Sequence, residues 1–282
     1  MTGFGWEVVV TATSSVAHSG ESLGTVRYLR RERVLAADNT VVEIPIVSGN
    51  SVRGRMRDIG ATLWWDDAAQ PLLPPAVAHA IFSGGALTKH VGDPLNGYRL
   101  RDLKELCLPL GVFGAAGGGR IIDGTIQVGK MVPIAEQTRI LLPEWVTGGG
   151  ETSLPDLWDL TQIEWYSRHP NKVNPVGEPF SNDDTGVPAL ARFGVETFLP
   201  GTRFYWWLAA DRMSLRTAGF VNDVVENFLA HGRVGGDVRV GHGMFNANIH
   251  HKPGVDVTND NSWRRNQRGL TVDELKMLAW LQ

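Results

Sequence analysis

The chain has 282 residues, 43% of them hydrophobic and 20% charged, with a formal net charge of −3 at pH 7. This composition is typical of a globular protein with a large core, and it excludes a disordered chain and a global attraction to polyanions. The single cysteine, Cys107, excludes an internal disulfide and any multi-cysteine zinc site.

The N-terminal residues 1–6 lack the basic segment and apolar stretch of a secretion signal, and no apolar run is long enough to span a membrane. We therefore expect a cytoplasmic protein without a membrane partner. The alternation of β-branched residues predicts a first strand over residues 7–13. A polar loop containing glycine is predicted over residues 14–24.

Residues 44–57, IPIVSGNSVRGRMR, lead into a predicted helix with arginines in its opening turns. Apolar residues at i, i+4, i+7 and i+11 form one core-facing stripe: Val52, Met56, Ile59 and Leu63. Either Ser48 or Asn50 can cap this helix, and Gly49 and Ser51 let a ligand approach its free N–H groups.

Three cations follow that cap, namely Arg53, Arg55 and Arg57. The positive end of a helix dipole disfavours cations, so the crowding indicates a bound anion such as phosphate, held by amides and guanidinium groups together. On charge pattern alone, a solvated basic helix paired to acids such as Asp58 is an equally good interpretation.

Prolines 71, 74 and 75 interrupt the chain, and short helices are predicted over residues 77–82 and 100–106, within an inserted helical region at 66–108. Residues 109–120 read as a glycine-rich loop before a strand at 121–128. This loop lacks the Gly-Lys-Ser/Thr of a phosphate-binding loop. Its three adjacent glycines favour a hairpin, although close approach to a sugar–phosphate chain remains an alternative.

Residues 148–190 show no clear apolar period and are predicted to form a long irregular insertion, of a kind that is usually functional or disordered. A strand pair or bent strand follows at 195–210, with a turn at Pro200 and Gly201. A helix is predicted at 217–230, a glycine-rich loop at 235–243 and a strand at 244–251. Thr271 and Glu274 predict a capping box for a last helix through residue 281.

The main elements follow the order strand, helix, strand, strand, helix, strand. This βαββαβ order predicts an α+β fold of the ferredoxin-like or RNA-recognition type in a single domain over residues 1–282. The aromatic octamer of RNA-recognition domains is missing, so base stacking on the open sheet face is not indicated.

The sequence gives little support to metal or nucleophilic chemistry. His250 and His251 are neighbours on a predicted strand, so their side chains point to opposite faces and do not easily share a metal. Cys107 lies in an apolar helical stretch, which favours a buried thiol over a nucleophile. We expect no metal and no cofactor.

Four segments, in order, resemble the backbone subunits of CRISPR effector complexes in the repeat-associated mysterious protein (RAMP) superfamily, most closely those of type IV systems. Residues 44–57 resemble the Ile-Pro-Gly-Ser-Ser-Leu-Lys-Gly signature and its following Arg, with Ile46 and Val47 inserted, Asn50 for a small residue and Arg53 for lysine. The others are LGVFG at 110–114, VETFLPGTRF at 195–204 and GGDVRVGHG at 235–243.

The resemblance implies a ferredoxin-like palm with an inserted helical region and a β-rich or irregular thumb at residues 148–190. Copies would assemble head to tail along a guide RNA, with other effector subunits, and display the guide for pairing with target DNA or RNA. The residues it implies as RNA-binding are His18, Arg27, Ser48, Asn50, Ser51, Arg53, Arg57, Gly118, Arg120, Arg168, Lys172, Gly235, Gly236, Arg239, Gly241 and His242.

Cleaving relatives of type III systems carry an Asp after the first strand, and the alignment of residues 24–27 with that segment puts Arg27 at its position. Arginine cannot serve as a carboxylate base or a metal ligand, so we expect a subunit without nuclease activity. One alternative is a target-RNA endoribonuclease that uses Glu21 or Asp38. Another is a ferredoxin-like domain that associates through its tryptophans and binds no nucleic acid.

Overall fold

A computed structural model describes residues 4–36, 38–87, 96–148, 153–168, 191–210, 213–251 and 261–281. Its strands are β1 (Phe4–Ala12), β2 (Ser19–Leu23), β3 (Val26–Leu29), β4 (Arg31–Leu35), β5 (Val41–Pro45), β6 (Ala115–Gly117), β7 (Arg120–Ile122), β8 (Ile126–Val128), β9 (Val132–Pro133), β10 (Thr161–Arg168), β11 (Ala191–Phe198), β12 (Arg203–Ala210) and β13 (Phe245–His251). Its α-helices are α1 (Gly49–Asp67), α2 (Pro75–Ser83), α3 (Gly97–Leu106), α4 (Leu108–Phe113), α5 (Glu144–Thr147), α6 (Leu215–His231) and α7 (Val272–Leu278).

The central sheet has the strand order β13-β1-β12-β8, and β9 also pairs with β12. All these pairs are antiparallel. Helix α1 lies between β1 and β8 in the chain, α6 lies between β12 and β13, and the two helices contact each other. This arrangement confirms the α+β class and the ferredoxin-like βαββαβ order.

Alternating apolar residues on the central sheet bury one face against α1 and α6. Val8 lies opposite Trp206 in the β1–β12 register, and both are buried. The Trp206 ring meets Phe228 of α6 edge-on, with 5.5 Å between ring centroids. Met56 of the predicted stripe on α1 is fully buried in the same core. The spacing of the apolar residues in the sequence therefore identified the faces of α1 and the central strands that pack in the core.

The predicted loop at residues 14–24 is wrong for residues 19–23, which form β2. All five residues of β2 are exposed, so the strand has no apolar alternation that a sequence could reveal. Strands β3, β4 and β5 occupy residues 26–45, for which no element was predicted. The chain leads from the end of β5 at Pro45 to Ser48, the residue that caps α1.

The segment at residues 108–128 is divided differently from the prediction. Helix α4 replaces the first part of the predicted loop, and the predicted strand at 121–128 is split between β7 and β8. Strands β6 and β7 form a tight hairpin in which Gly118 and Gly119 have φ of 56° and 73°. Two left-handed residues suit a two-residue hairpin turn, so the predicted hairpin is confirmed.

The predicted strand pair at residues 195–210 forms two strands in different sheets. Strand β12 is central to the palm, whereas β11 belongs to a second sheet with the order β10-β11-β3-β2. The chain turns between them at Pro200 and Gly201, as predicted, with Gly201 at φ 91°. Residues 161–168 of the insertion predicted at 148–190 form β10, so this part is a strand, one of the two forms given for the insertion. Residues 149–152 and 169–190 lie outside the described part of the chain.

Two further predictions are confirmed in the helical parts of the chain. Cys107 is fully buried, and burial raises the pKa of its thiol far above the ordinary value. Thr271 and Glu274 form the capping box of α7, which ends at Leu278 and passes into a 3-10 turn. No helix among the described residues is both long and apolar enough to cross a membrane.

Glu274 gives the protein a predictable acid sensitivity. Hydrogen bonds from Arg265, both of 2.9 Å, are the main reason why its pKa falls from 4.5 to about 2. A lowered pKa stabilises the fold fully above pH 4.5, and this contribution is lost as the pH falls towards 2. We expect Glu274→Gln to lower the free energy of unfolding at pH 6 and to have little effect near pH 2, in urea titrations.

Asp273 provides the matched control, because it lies beside Glu274 but is 88% exposed and forms an exposed ion pair with Lys276. We expect Asp273→Asn to change stability little at either pH, since exposed ion pairs contribute little. Equal effects of the two substitutions across this pH range would contradict the role given to Glu274.

Candidate nucleic-acid interface

The start of α1 forms a polar corner beside the second sheet. Ser48 caps the helix, and its hydroxyl accepts a hydrogen bond from the Ser51 N–H at 3.3 Å. The His18 Nε2 atom lies 3.1 Å from the same hydroxyl. Burial, together with the nearby charge of Arg30, lowers the pKa of His18. Neutral imidazole is therefore the favoured form in this corner at neutral pH.

Gly49 fixes how closely this corner packs on the palm. A Cβ on Gly49 would overlap the carbonyl oxygen of Val128, at the end of β8. The helix therefore starts directly against the central sheet, and any side chain larger than hydrogen at position 49 would push it away. Asn50, one residue later, is exposed and faces solvent at the helix terminus.

The glycine-rich loop at residues 235–243 lies against the chain that carries His18. The Gly236 N–H donates to the Ala17 carbonyl at 2.6 Å, and the Gly243 N–H donates to the Ser15 carbonyl at 2.8 Å. Gly235 has φ of 76°, and a Cβ there would overlap the Ala17 carbonyl oxygen. The fold thus brings His18, the cap of α1 and the glycine-rich loop together.

An ion pair and a buried histidine attach this loop to the second sheet. Arg27 of β3 contacts Asp237 at 2.9 Å. His242 is buried, and its Nε2 atom lies 2.8 Å from the Tyr166 hydroxyl and 3.3 Å from a Glu164 carboxylate oxygen. The loop therefore spans β3 and β10, and the predicted residues Arg27 and His242 hold it from two sides.

Glu164 anchors this attachment from β10. Burial acts to raise the pKa of Glu164, but hydrogen bonds from Ser15, Tyr166 and Thr197 outweigh it and lower the pKa. Burial and the neighbouring Glu164 raise the pKa of Tyr166 to about 12, so its phenol stays protonated. No local pattern predicts a role for Glu164 or Asp237, because their partners are far away along the chain.

The crowded arginines of α1 have partners within the chain. Arg57 donates to the carbonyls of Gly114 at 2.7 Å and Phe113 at 2.8 Å, and Arg53 donates to the Phe113 carbonyl at 2.5 Å. These carbonyls end α4, where the helix dipole is negative. Burial and the charge of Arg53 lower the pKa of Arg57. Phosphate contact by either arginine stays a prediction.

Arg55 fits the alternative interpretation of the arginine pattern, in which a solvated basic helix is paired to acids. It forms an exposed ion pair with Asp58 at 3.1 Å, three residues on in the same helix. The cluster is thus divided between a solvated pair and two guanidinium groups that hold the end of α4.

The remaining predicted residues fall in three places. Arg239 and Gly241 are exposed in the glycine-rich loop. Gly118 and Arg120 belong to the β6–β7 hairpin, where the Gly118 N–H donates to the Leu281 carbonyl at 3.3 Å, so the structure places them against the C-terminal turn rather than in the corner. The main chain of Arg168 ends β10, and Lys172 lies outside the described residues.

Arg30 is a further cation at this corner. It is exposed, and its N–H donates to the His18 carbonyl at 2.7 Å. Its place in a run of arginines was visible in the sequence, but its neighbour His18 was not. Arg27, on the neighbouring strand β3, is partly neutralised by Asp237, and Arg239 is exposed in the glycine-rich loop.

The two acids considered for catalysis lie in different places. Glu21 is exposed on the edge strand β2, next to Ser22, which pairs with Arg27 of β3. Asp38 lies in the β4–β5 connection, where hydrogen bonds from Thr40 lower its pKa. Within the described ranges, no three His, Cys, Asp or Glu side chains are grouped so as to hold a metal ion.

Comparison with known proteins connects this fold to a CRISPR complex. No protein-family model and no curated protein matches the sequence. Among solved structures, the chain is similar to a chain of a Type IV-B CRISPR complex, with a TM-score of 0.58 and 26% sequence identity. The match covers 87% of this chain and 90% of that chain. This similarity supports a role as a subunit of a CRISPR complex.

Proposed function

We propose that this protein is a non-catalytic backbone subunit of a CRISPR effector complex of the RAMP type, which binds guide RNA and associates head to tail with further copies. The observation that carries the proposal is the similarity to a Type IV-B CRISPR complex chain over 87% of this chain. The polar corner at the start of α1 supplies the chemistry for an RNA strand.

Three features of the corner suit a phosphate chain. Helix α1 presents the backbone N–H group of Asn50 at its start, where the helix dipole favours anions. The glycine-rich loop lets a sugar–phosphate backbone come close at Gly236 and Gly241. Arg30 and Arg239 are exposed beside it. Contacts to phosphates position an RNA without reading its sequence, so the bases stay available for pairing with target DNA or RNA.

The proposed RNA contacts follow from this corner and from the family signature. They comprise His18, Arg27, Ser48, Asn50, Ser51, Arg53, Arg57, Gly235, Gly236, Arg239, Gly241 and His242, together with Arg30. Four further RNA contacts are proposed away from this corner, at Gly118, Arg120, Arg168 and Lys172. Other effector subunits complete the particle.

The absence of nuclease activity is part of the proposal. The alignment implied by the resemblance puts Arg27 at the position of the acid in cleaving relatives, and its guanidinium pairs with Asp237. Incubating the assembled complex with RNA complementary to the guide tests this point. Intact RNA is the expected result, and cuts at regular spacing would contradict the proposal and favour the alternative enzyme that uses Glu21 or Asp38.

Exchange of two exposed arginines tests the RNA site. We expect Arg30→Gln with Arg239→Gln to weaken binding of single-stranded RNA by roughly tenfold or more. The slope of log K against log salt concentration should become less steep by about 1.4, because each phosphate contact on a single strand contributes about 0.7 to its magnitude. Fluorescence anisotropy at several salt concentrations measures both.

The control removes the same charge elsewhere. Arg101 and Lys276 are exposed on α3 and α7, so Arg101→Gln with Lys276→Gln should leave the salt slope almost unchanged. Equal slopes for both double variants would contradict the corner as the RNA site. Absorbance at 260 and 280 nm, measured after purification without nuclease, tests whether RNA is bound at all. A ratio typical of pure protein would favour the alternative of a self-associating domain that binds no nucleic acid.

A further inference from the structure

We propose that the second sheet is the contact between successive copies, with the β2 edge of one copy adding beside the β10 edge of the next. This inference rests on the proposed head-to-tail association and names the surface that makes it. Its physical basis is the condition of the two outer strands of the sheet β10-β11-β3-β2.

Both edges are open in the described part of the chain. Strand β10 pairs with β11 on one side, and β2 pairs with β3 on one side. The outward N–H and C=O groups of an edge strand are a template for another strand. Neither β10 (TQIEWYSR) nor β2 (SGESL) contains the lysine or proline that commonly protects an edge.

The register places large apolar side chains at both edges of one row. Trp165 lies opposite Gly194, Gly194 opposite Val26, and Val26 opposite Leu23. Directly paired residues share a face of a sheet, so these four residues form one line across it. Trp165 at one end is 50% exposed and Leu23 at the other is 74% exposed.

The β10 end of this row is a raised apolar surface. Ile163 and Trp165 lie over Gly194, whose missing side chain leaves room for them. Arg192 stacks on the Trp165 ring, with 4.9 Å from its guanidinium carbon to the ring centroid. At the other end every residue of β2 is exposed, so that strand buries little in a single copy. Each edge gains burial only by meeting another surface.

A second copy fits these edges because the exposed side chains of the two edges are complementary. The apolar row would continue from Trp165 of one copy to Leu23 of the next. The exposed Glu21 of β2 is opposite in charge to Arg192 near β10. Strands β10 and β2 run in the same direction, since β11 is parallel to β3 and the outer pairs are antiparallel. A copy displaced along the row therefore forms a parallel pair.

The polarity of this contact determines the form of the assembly. The two edges differ, so the contact is heterologous and leaves one free β2 edge and one free β10 edge on every dimer. Such a contact adds copies without limit until something else ends the chain. A guide RNA of fixed length would supply that limit.

Cysteine cross-linking tests the contact, because the only native thiol, Cys107, is buried and provides a quiet background. We expect Leu23→Cys with Trp165→Cys in one chain to give a ladder of oligomers with a short bismaleimide. A mixture of the two single variants should stop at dimers, and each single variant alone should give none. Ile163→Cys replaces Trp165→Cys if the tryptophan variant folds poorly.

The control moves one cysteine to an unrelated exposed site. Leu72 follows α1 and is 96% exposed, so Leu72→Cys with Trp165→Cys should give no ladder. A ladder from this pair, or none from the first pair, overturns the contact. If the particles bind RNA but form no cross-links, the interface lies elsewhere and the proposed function is unaffected. A monomer that holds no RNA overturns both.

Discussion

Replacing Gly235 with alanine should destabilise the protein and weaken RNA binding more than any single exchange of a surface charge. Gly235 has φ of 76°, which an alanine adopts only with strain, and the added Cβ would overlap the Ala17 carbonyl. The loop must then move away from the chain that carries His18. We expect a loss of about 2 to 4 kcal/mol in the free energy of unfolding. Urea titration measures it.

RNA affinity provides the second measurement on the same variant. The Gly236 hydrogen bond to Ala17 follows directly after Gly235, so displacement of the loop separates it from the cap of α1. If both parts hold one RNA strand, Gly235→Ala should lower affinity at least tenfold under conditions where the protein stays folded. Unchanged affinity would mean that the loop does not contact RNA.

Gly241 is a matched control within the same loop. Its φ is 95°, but a Cβ on Gly241 would meet nothing within 4 Å. Gly241→Ala therefore introduces backbone strain without overlap, and we expect a loss of roughly 1 to 2 kcal/mol. Equal losses for the two variants would show that the contact with Ala17 does not determine the position of the loop.

Arg57→Ala should produce the second large effect, this time in the helical half of the palm. The change removes hydrogen bonds to the carbonyls that end α4 and the contact with the Phe113 ring, 5.9 Å from the guanidinium carbon. Hydrogen bonds from a charged donor contribute about 1.5 to 3 kcal/mol each. The Gly114 carbonyl loses the Arg57 donor, whereas the Phe113 carbonyl keeps the hydrogen bond from Arg53. We expect a loss of about 2 to 4 kcal/mol, measured by chemical unfolding.

Arg55→Ala is the control on the same helix. Arg55 forms an exposed ion pair with Asp58, so its loss should cost less than about 1 kcal/mol. Arg57→Lys should fall between the two alanine variants, because lysine keeps the charge without the planar fork that reaches two carbonyls. A small effect of Arg57→Ala would contradict the clamp on α4.

The same variants separate two roles for the arginines. A residue that contacts a phosphate contributes to the salt slope of RNA binding, whereas a residue that only positions α4 does not. If Arg53 and Arg57 act through Phe113 and Gly114 alone, their alanine variants should bind RNA with the wild-type slope. A lower slope would show that they also contact phosphate.

The sequence by itself determined those features that depend on neighbours within a few residues. The buried stripe on α1, the Ser48 cap, the turn at Gly201 and the capping box at Thr271 all follow from local periodicity or local hydrogen bonding, and all are confirmed. The order of the palm elements came from the same local patterns, because each strand and helix buries one regular face.

Only the tertiary structure decided which distant groups meet. Strand β2 has no buried face, and β10 lies in a segment without apolar period, so both depend on pairing across the sheet. Arg57 finds its carbonyls in the Phe113–Gly114 segment, far along the chain, and Asp237 finds Arg27 in β3. A hydrogen bond or ion pair between such distant residues leaves no local pattern, because the fold alone brings its two groups within 3 Å of each other.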